Sequence, residues 1–164
     1  MNENLLIHAR AYTARRQLEI AEALGAGKDG LVLAVKGVAN PAKVAVKVLR
    51  FMEPYTREKL VYQRLEQFGV NIVAGFNVPQ LLGSDDQLLA LEMTIVERPF
   101  VLDFAGAYLD VRPEFPEEVW TQWEDEKREQ FEAQWPQVRR VLDAFEARGI
   151  YLLDVSPGNI AFAR

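Results

Sequence analysis

Residues 17–49 read QLEIAEALGAGKDGLVLAVKGVANPAKVAVKVL. The runs QLEIAEAL, LVLAVKG and AKVAVKVL favour β-structure, and GAGKDG and GVANPAK between them are turn chemistry. The pattern predicts a three-stranded antiparallel meander. Its first turn places glycines at 25, 27 and 30 in the spacing G-x-G-x-x-G. Residues without Cβ let backbone N–H groups approach phosphate oxygens closely, although the same spacing also serves a plain β-turn. In a dinucleotide-binding unit such glycines open a helix after a strand. Here Gly30 leads into Leu-Val-Leu-Ala-Val, a strand former, so the turn is strand-to-strand and that alternative loses.

The last strand centres on Lys47, inside Val-Ala-Val-Lys-Val-Leu. A charge in an apolar strand must find a partner or emerge at the sheet surface. Alternation permits an outward lysine sharing a face with Lys43. It equally permits a phosphate ligand held by a carboxylate. The next segment, EPYTREKLVYQRLEQFG (53–69), reads as a helix, with Pro54 in its first turn, an apolar face of Leu60, Val61, Leu65 and Phe68, and Gly69 at its end. Glu58 on that helix is the natural partner for Lys47, and Glu66 is the runner-up.

Further along, VPQLLG and QLLALEMTIVE straddle GSDD and predict another hairpin. After Arg98 the pattern turns helical, with a long amphipathic stretch from Pro116 to Gly149 that Pro136 interrupts. Before the meander, Met1 to Arg16 predicts a short helix with Leu5, Ile7 and Ala9 on its apolar side. His8, the only histidine, is expected at that helix's surface. Five strands and one helix followed by helices define an α+β protein. The expected division is an N-terminal helical extension over 1–16, a sheet-rich unit over 17–97 and a helical unit over 98–164.

The sequence closes on YLLDVSPGNIAFAR, in which Asp154 stands five residues before Asn159. In order, Gly25-Ala-Gly-Lys-Asp-Gly30, Val44-Ala-Val-Lys47, Glu58, a hinge near Glu92 to Glu97 and Asp154-Val-Ser-Pro-Gly-Asn159 resemble the protein-kinase-like superfamily over about residues 20 to 162. Even the valine two residues after the last glycine, Val32, fits. The resemblance implies a five-stranded antiparallel N-terminal lobe with its helix C, a reduced helical C-terminal lobe, and ATP and magnesium as cofactors. It implies that the glycine loop covers the phosphates and that Lys47, paired with Glu58, grips them. The 92–97 backbone would meet the adenine, Asp154 would orient or deprotonate an acceptor hydroxyl, and Asn159 would hold one magnesium ion.

Two departures accompany it. Leu152 and Leu153 stand where protein kinases have His-Arg, and Ser-Pro-Gly-Asn is closer to the small-molecule and atypical branches. An aspartate before Ser-Pro-Gly also suits an ordinary turn. The family's second metal ligand, the aspartate of Asp-Phe-Gly, is expected after the catalytic loop. Only Ile160 to Arg164 follow Asn159, and none is acidic. Three explanations stay open: a compact phosphotransferase that recruits Asp103, Asp110 or a carboxylate of the 114–132 helix, a pseudokinase acting as a regulatory or interaction module, or a fragment completed by another polypeptide. A protein partner or a second copy would then cover the incomplete helical unit, where Trp120, Trp123, Phe131 and Trp135 read either as core or as exposed apolar surface.

Composition narrows the classes further. The chain has 164 residues, 49% of them hydrophobic and 26% charged, with a net charge of −5. That balance is ordinary for a folded domain and gives no footprint for nucleic acid or an anionic membrane. The absence of cysteine excludes disulfides, thiolate metal sites and a cysteine nucleophile. No apolar run approaches the ~18 residues of a membrane span, and MNENLLIHARAY lacks the features of a secretory signal. A cytoplasmic location is the expectation.

Overall fold

The meander over residues 17–49 is the centre of the fold. A computed structural model describes residues 3–164. Met1 and Asn2, assigned to the first helix on sequence grounds, lie outside the described residues. In chain order the elements are α1 (Glu3–Arg15), β1 (Leu18–Ala26), β2 (Gly30–Gly37), β3 (Lys43–Leu49), α2 (Met52–Gln67), β4 (Ile72–Val73), β5 (Phe76–Asn77), β6 (Leu81–Asp85) and β7 (Ala90–Thr94). They continue with β8 (Phe100–Val101), β9 (Tyr108–Leu109), α3 (Glu117–Phe131), a 3₁₀ turn (Glu132–Gln134), α4 (Trp135–Glu146), β10 (Ile150–Tyr151) and β11 (Ile160–Ala161). The chain is thus α+β, with a five-stranded antiparallel sheet in the order β1-β2-β3-β7-β6. Among the described residues no helix is long and apolar enough to cross a membrane.

The sheet divides the core because successive side chains of a strand point to opposite faces. On β3, Val46 and Val48 join Leu5, Ala9 and Tyr12 of α1 in one apolar cluster. Ala45 and Leu49 turn the other way, into a larger cluster with α2, α4 and the segments between them. Lys47 shares the face of Ala45 and Leu49 and is buried.

Both N-terminal helices bury part of the expected stripe, Leu5 and Ala9 on α1 and Val61 and Leu65 on α2, and complete it with tyrosines. α1 buries Leu5, Ala9, Tyr12 and Thr13, His8 is half-buried, and Ile7 is exposed. α2 buries Tyr55, Glu58, Val61, Tyr62 and Leu65, while Leu60 and Phe68 face solvent. The tyrosines decide this, since each ring buries a large apolar area and needs only its hydroxyl satisfied. Gly69, at φ 65°, ends α2 as expected.

The hairpin turn after β6 also lies further along than GSDD. Gly83, Ser84 and Asp85 remain in the strand, and Asp85 accepts hydrogen bonds from the Gln87 and Leu88 N–H groups.

Residues 100–116 are not helical. They hold Gly106, Pro113 and Pro116, and Asp103 and Asp110 take left-handed backbone conformations at φ 69° and 67°. A left-handed residue interrupts a right-handed helix wherever it falls. The helical region begins at Glu117 and breaks at Glu132 (φ 53°), four residues before Pro136, which sits in the first turn of α4. There its missing N–H costs nothing. α4 buries Trp135, Val138, Val141, Leu142 and Phe145, whereas α3 fully buries only Phe131. Trp123 is partly buried against the same core, so this aromatic set is largely interior.

Candidate functional site

Two strand-loop-strand segments build the site by lying antiparallel. β8 pairs with β11 (Val101 with Ile160, Phe100 with Ala161), and β9 pairs with β10 (Tyr108 with Tyr151, Leu109 with Ile150). Between these two short ladders, loops 102–107 and 152–159 face each other. Asp103 is on the first, and Asp154 and Asn159 are on the second. Leu102 N–H donates to the Asn159 carbonyl at 2.8 Å, which extends the ladder into the loops. At the other end of the loops a Cβ added to Gly106 would lie 3.1 Å from Asp154 Cβ. Gly106 therefore lets the Asp154 side chain come close. Asp154 itself is exposed.

β3 and α2 bring the other half. Lys47 Nζ lies 2.8 Å from Glu58 Oε2 and 3.2 Å from Asp103 Oδ1. Glu66 is exposed on another side of α2 and takes no part. Glu58 is 1% exposed and stands on the buried stripe between Tyr55 and Val61, where a carboxylate needs a counter-charge. Its Oε2 takes no aligned hydrogen bond, so the Lys47 charge is its compensation. The Tyr62 hydroxyl lies 3.4 Å from Oε1.

Burial alone would push the Lys47 ammonium down, but the Glu58 and Asp103 carboxylates outweigh it and hold it above the usual lysine value. Burial pushes the Glu58 carboxyl up, and Lys47 draws it back only in part. The 2.8 Å contact is ion-pair geometry, so the charged state of Lys47 governs. Asp103, about one-third exposed, turns back to accept from the Ala105 N–H at 3.3 Å, which fixes its carboxylate beside Lys47.

A cavity of about 480 Å³ runs between these halves. Leu24, Val32, Ala45 and Met93 contribute apolar lining, and Lys47, Glu58, Asp103 and Asn159 contribute polar groups. Size and lining match a pocket for a small organic ligand carrying a charged group. Thr94, Ile95 and Val96 also line it. Glu92 does not: it faces α1, where it accepts from the Tyr12 hydroxyl and the Arg16 guanidinium, both at 3.2 Å.

The three glycines differ. Gly25 lines the cavity, and neither Gly25 nor Gly27 has a neighbour that a Cβ would meet. Gly30 is a packing glycine, because a Cβ there would collide with the Val48 carbonyl oxygen. The turn is closed by the Gly27 N–H donating to the Gly30 carbonyl at 3.0 Å.

Of the three sources considered for a second metal ligand, Asp103 alone is placed at the site. Asp110 is held by Arg64 at 2.6 Å, and Glu117, Glu118, Asp125, Glu126 and Glu129 line a separate outer depression of α3. In the sequence Asp103 stands in the run Phe100-Val-Leu-Asp-Phe104, a strand-like approach to Asp-Phe.

Among the described residues no three His, Cys, Asp or Glu side chains group as a metal cage. Magnesium needs none, because it keeps waters and takes one or two carboxylates plus substrate phosphates. The carboxylate of Asp103 and the amide oxygen of Asn159 are hard ligands of the required kind, beside a buried cation suited to phosphate. Compared with known proteins, the sequence matches no protein-family model, and no curated protein matches it significantly.

Proposed function

We propose that the protein is a magnesium-ATP-dependent phosphotransferase of protein-kinase-like form, with its metal carboxylate, Asp103, upstream of the catalytic loop. The observation that carries this reading is the 3.2 Å contact of Asp103 with Lys47, on a loop that faces Asp154 and Asn159. The apolar lining of the cavity suits an adenine against Thr94–Val96. Lys47 suits the α- and β-phosphates, and Gly25 and Gly27 leave room for phosphate oxygens at backbone N–H groups. Asp103 and Asn159 would hold magnesium, which when bound would supply positive charge against the phosphate oxygens.

The acceptor O–H attacks the γ-phosphorus while the bond from that phosphorus to the β,γ-bridging oxygen breaks. The acceptor proton passes to the Asp154 carboxylate, and ADP leaves with the bridging oxygen and its electron pair. Lys47 and Glu58 stay charged and in place throughout, so most of the catalysis is positioning and charge neutralisation.

The test is release of labelled γ-phosphate from magnesium-ATP to water or to hydroxyl acceptors. Asp154→Ala is expected to lower transfer by about 10²-fold or more while ATP affinity survives. Transfer by Asp154→Ala equal to wild type would contradict the assignment of the base. Binding without transfer in wild type would return the inactive, regulatory alternative.

A further inference from the structure

One helix holds the backbone on both sides of Asp154. Trp123 Nε1 donates to the Leu153 carbonyl at 3.0 Å, and Lys127 Nζ donates to the Val155 carbonyl at 2.6 Å. Leu153 and Val155 are the residues before and after Asp154. Trp123 and Lys127 are four apart and therefore neighbours on one face of α3. The other partner of the Lys127 ammonium is the Gln130 amide oxygen at 3.3 Å, although acidic residues surround it in sequence. A charge-assisted hydrogen bond is committed to a backbone carbonyl of the loop instead.

We infer that Trp123 and Lys127 are positioning residues that aim the Asp154 carboxylate. The inference rests on the phosphotransfer reading above. The other anchors of the loop are the buried Leu152 and Val155 side chains and the Ser156 carbonyl, which accepts from the Asn159 and Ile160 N–H groups at 2.9 and 3.0 Å, while Asp154, Pro157 and Gly158 are exposed. None of the residues lining the nucleotide cavity belongs to α3. Loosening the grip of α3 should therefore disturb the base and leave nucleotide binding alone, a separation that a merely structural helix would not produce.

The test uses the full chain, with magnesium-ATP as probe and water as acceptor, on wild type, Lys127→Met, Lys127→Arg and Trp123→Phe. Lys127→Met is expected to lower kcat about tenfold with KM for ATP within about twofold, because small displacements of a catalytic group cost rate and not affinity. Lys127→Arg, which keeps a cationic donor, should recover most of the loss, and Trp123→Phe should behave like Lys127→Met. Hydrogen exchange at the Asp154, Val155 and Ser156 amides should quicken in Lys127→Met.

An unchanged kcat in Lys127→Met, or Lys127→Arg as impaired as Lys127→Met, would overturn the inference. If wild type itself releases no phosphate, the phosphotransfer reading falls, and the exchange experiment decides this one separately. Faster exchange upholds the anchoring of the loop, and unchanged exchange removes it.

Discussion

Lys47 Nζ stands 3.2 Å from Asp103 Oδ1, although 56 residues separate them in the chain. The contact closes a circuit from β3, through the buried Glu58 of α2, to a loop that lies opposite Asp154. Two antiparallel segments pair equally well whichever comes first in the chain. A carboxylate loop can therefore precede its partner loop and still face it. On the proposed reading, Asp103 serves as the metal carboxylate from this upstream loop.

Phe104, the residue after Asp103, is fully buried and joins the two halves of the larger core. Its ring meets Tyr62 of α2 edge-on at 5.3 Å between centroids and Phe145 of α4 at 5.7 Å. Phe104→Ala should destabilise the protein by about 3–5 kcal/mol in urea denaturation, as for other large-to-small core changes. A loss below about 1 kcal/mol would mean that the ring does not tie these elements together.

The glycines of the first turn separate by a stability measurement. Gly30→Ala should cost about 1–3 kcal/mol, because its Cβ meets the backbone of β3 and the strands must shift. Gly27→Ala, with open space around it, should change stability by less than about 0.5 kcal/mol. Equal effects at the two positions would contradict the distinct roles assigned to them.

Much of this arrangement was legible in the sequence, for physical reasons. The meander shows because period-two alternation and turn residues are local signals. Lys47 shows because a charge in such a strand is conspicuous. Glu58 could have been recognised as buried, since it lies on the stripe Tyr55, Val61, Tyr62, Leu65; counting Leu60 and Phe68 in place of the tyrosines hid that stripe. Strands β8 to β11 are two residues each and carry no periodicity. Their pairing is a tertiary property, and with it the placement of Asp103. Over 100–116, Gly106, Pro113 and Pro116 argue locally against a helix, whereas the left-handed backbone of Asp103 and Asp110 has no local signal.

The interface of α1 with the sheet carries a pH signature. Burial, reinforced by Glu92, pushes the Tyr12 hydroxyl up to about 12. Between pH 10 and 12 the folded state therefore keeps a proton that the unfolded state releases, and stability falls as pH rises through that window. Tyr55 and Tyr62 are raised as well and add to the fall. Tyr12→Phe should make the slope of unfolding free energy against pH shallower across this range, measured by denaturant titration. An unchanged slope would place the Tyr12 phenol in a solvent-like setting.

Calorimetric titration of ATP, with and without magnesium, on wild type and Asp103→Asn is the most direct test of the proposed site. Wild type should bind ATP more tightly with magnesium present. Asp103→Asn should keep the magnesium-free affinity through Lys47 and lose the gain that magnesium gives. An Asp103→Asn protein that responds to magnesium as wild type does would contradict the role given to Asp103. No binding by wild type under either condition would contradict the nucleotide site as a whole.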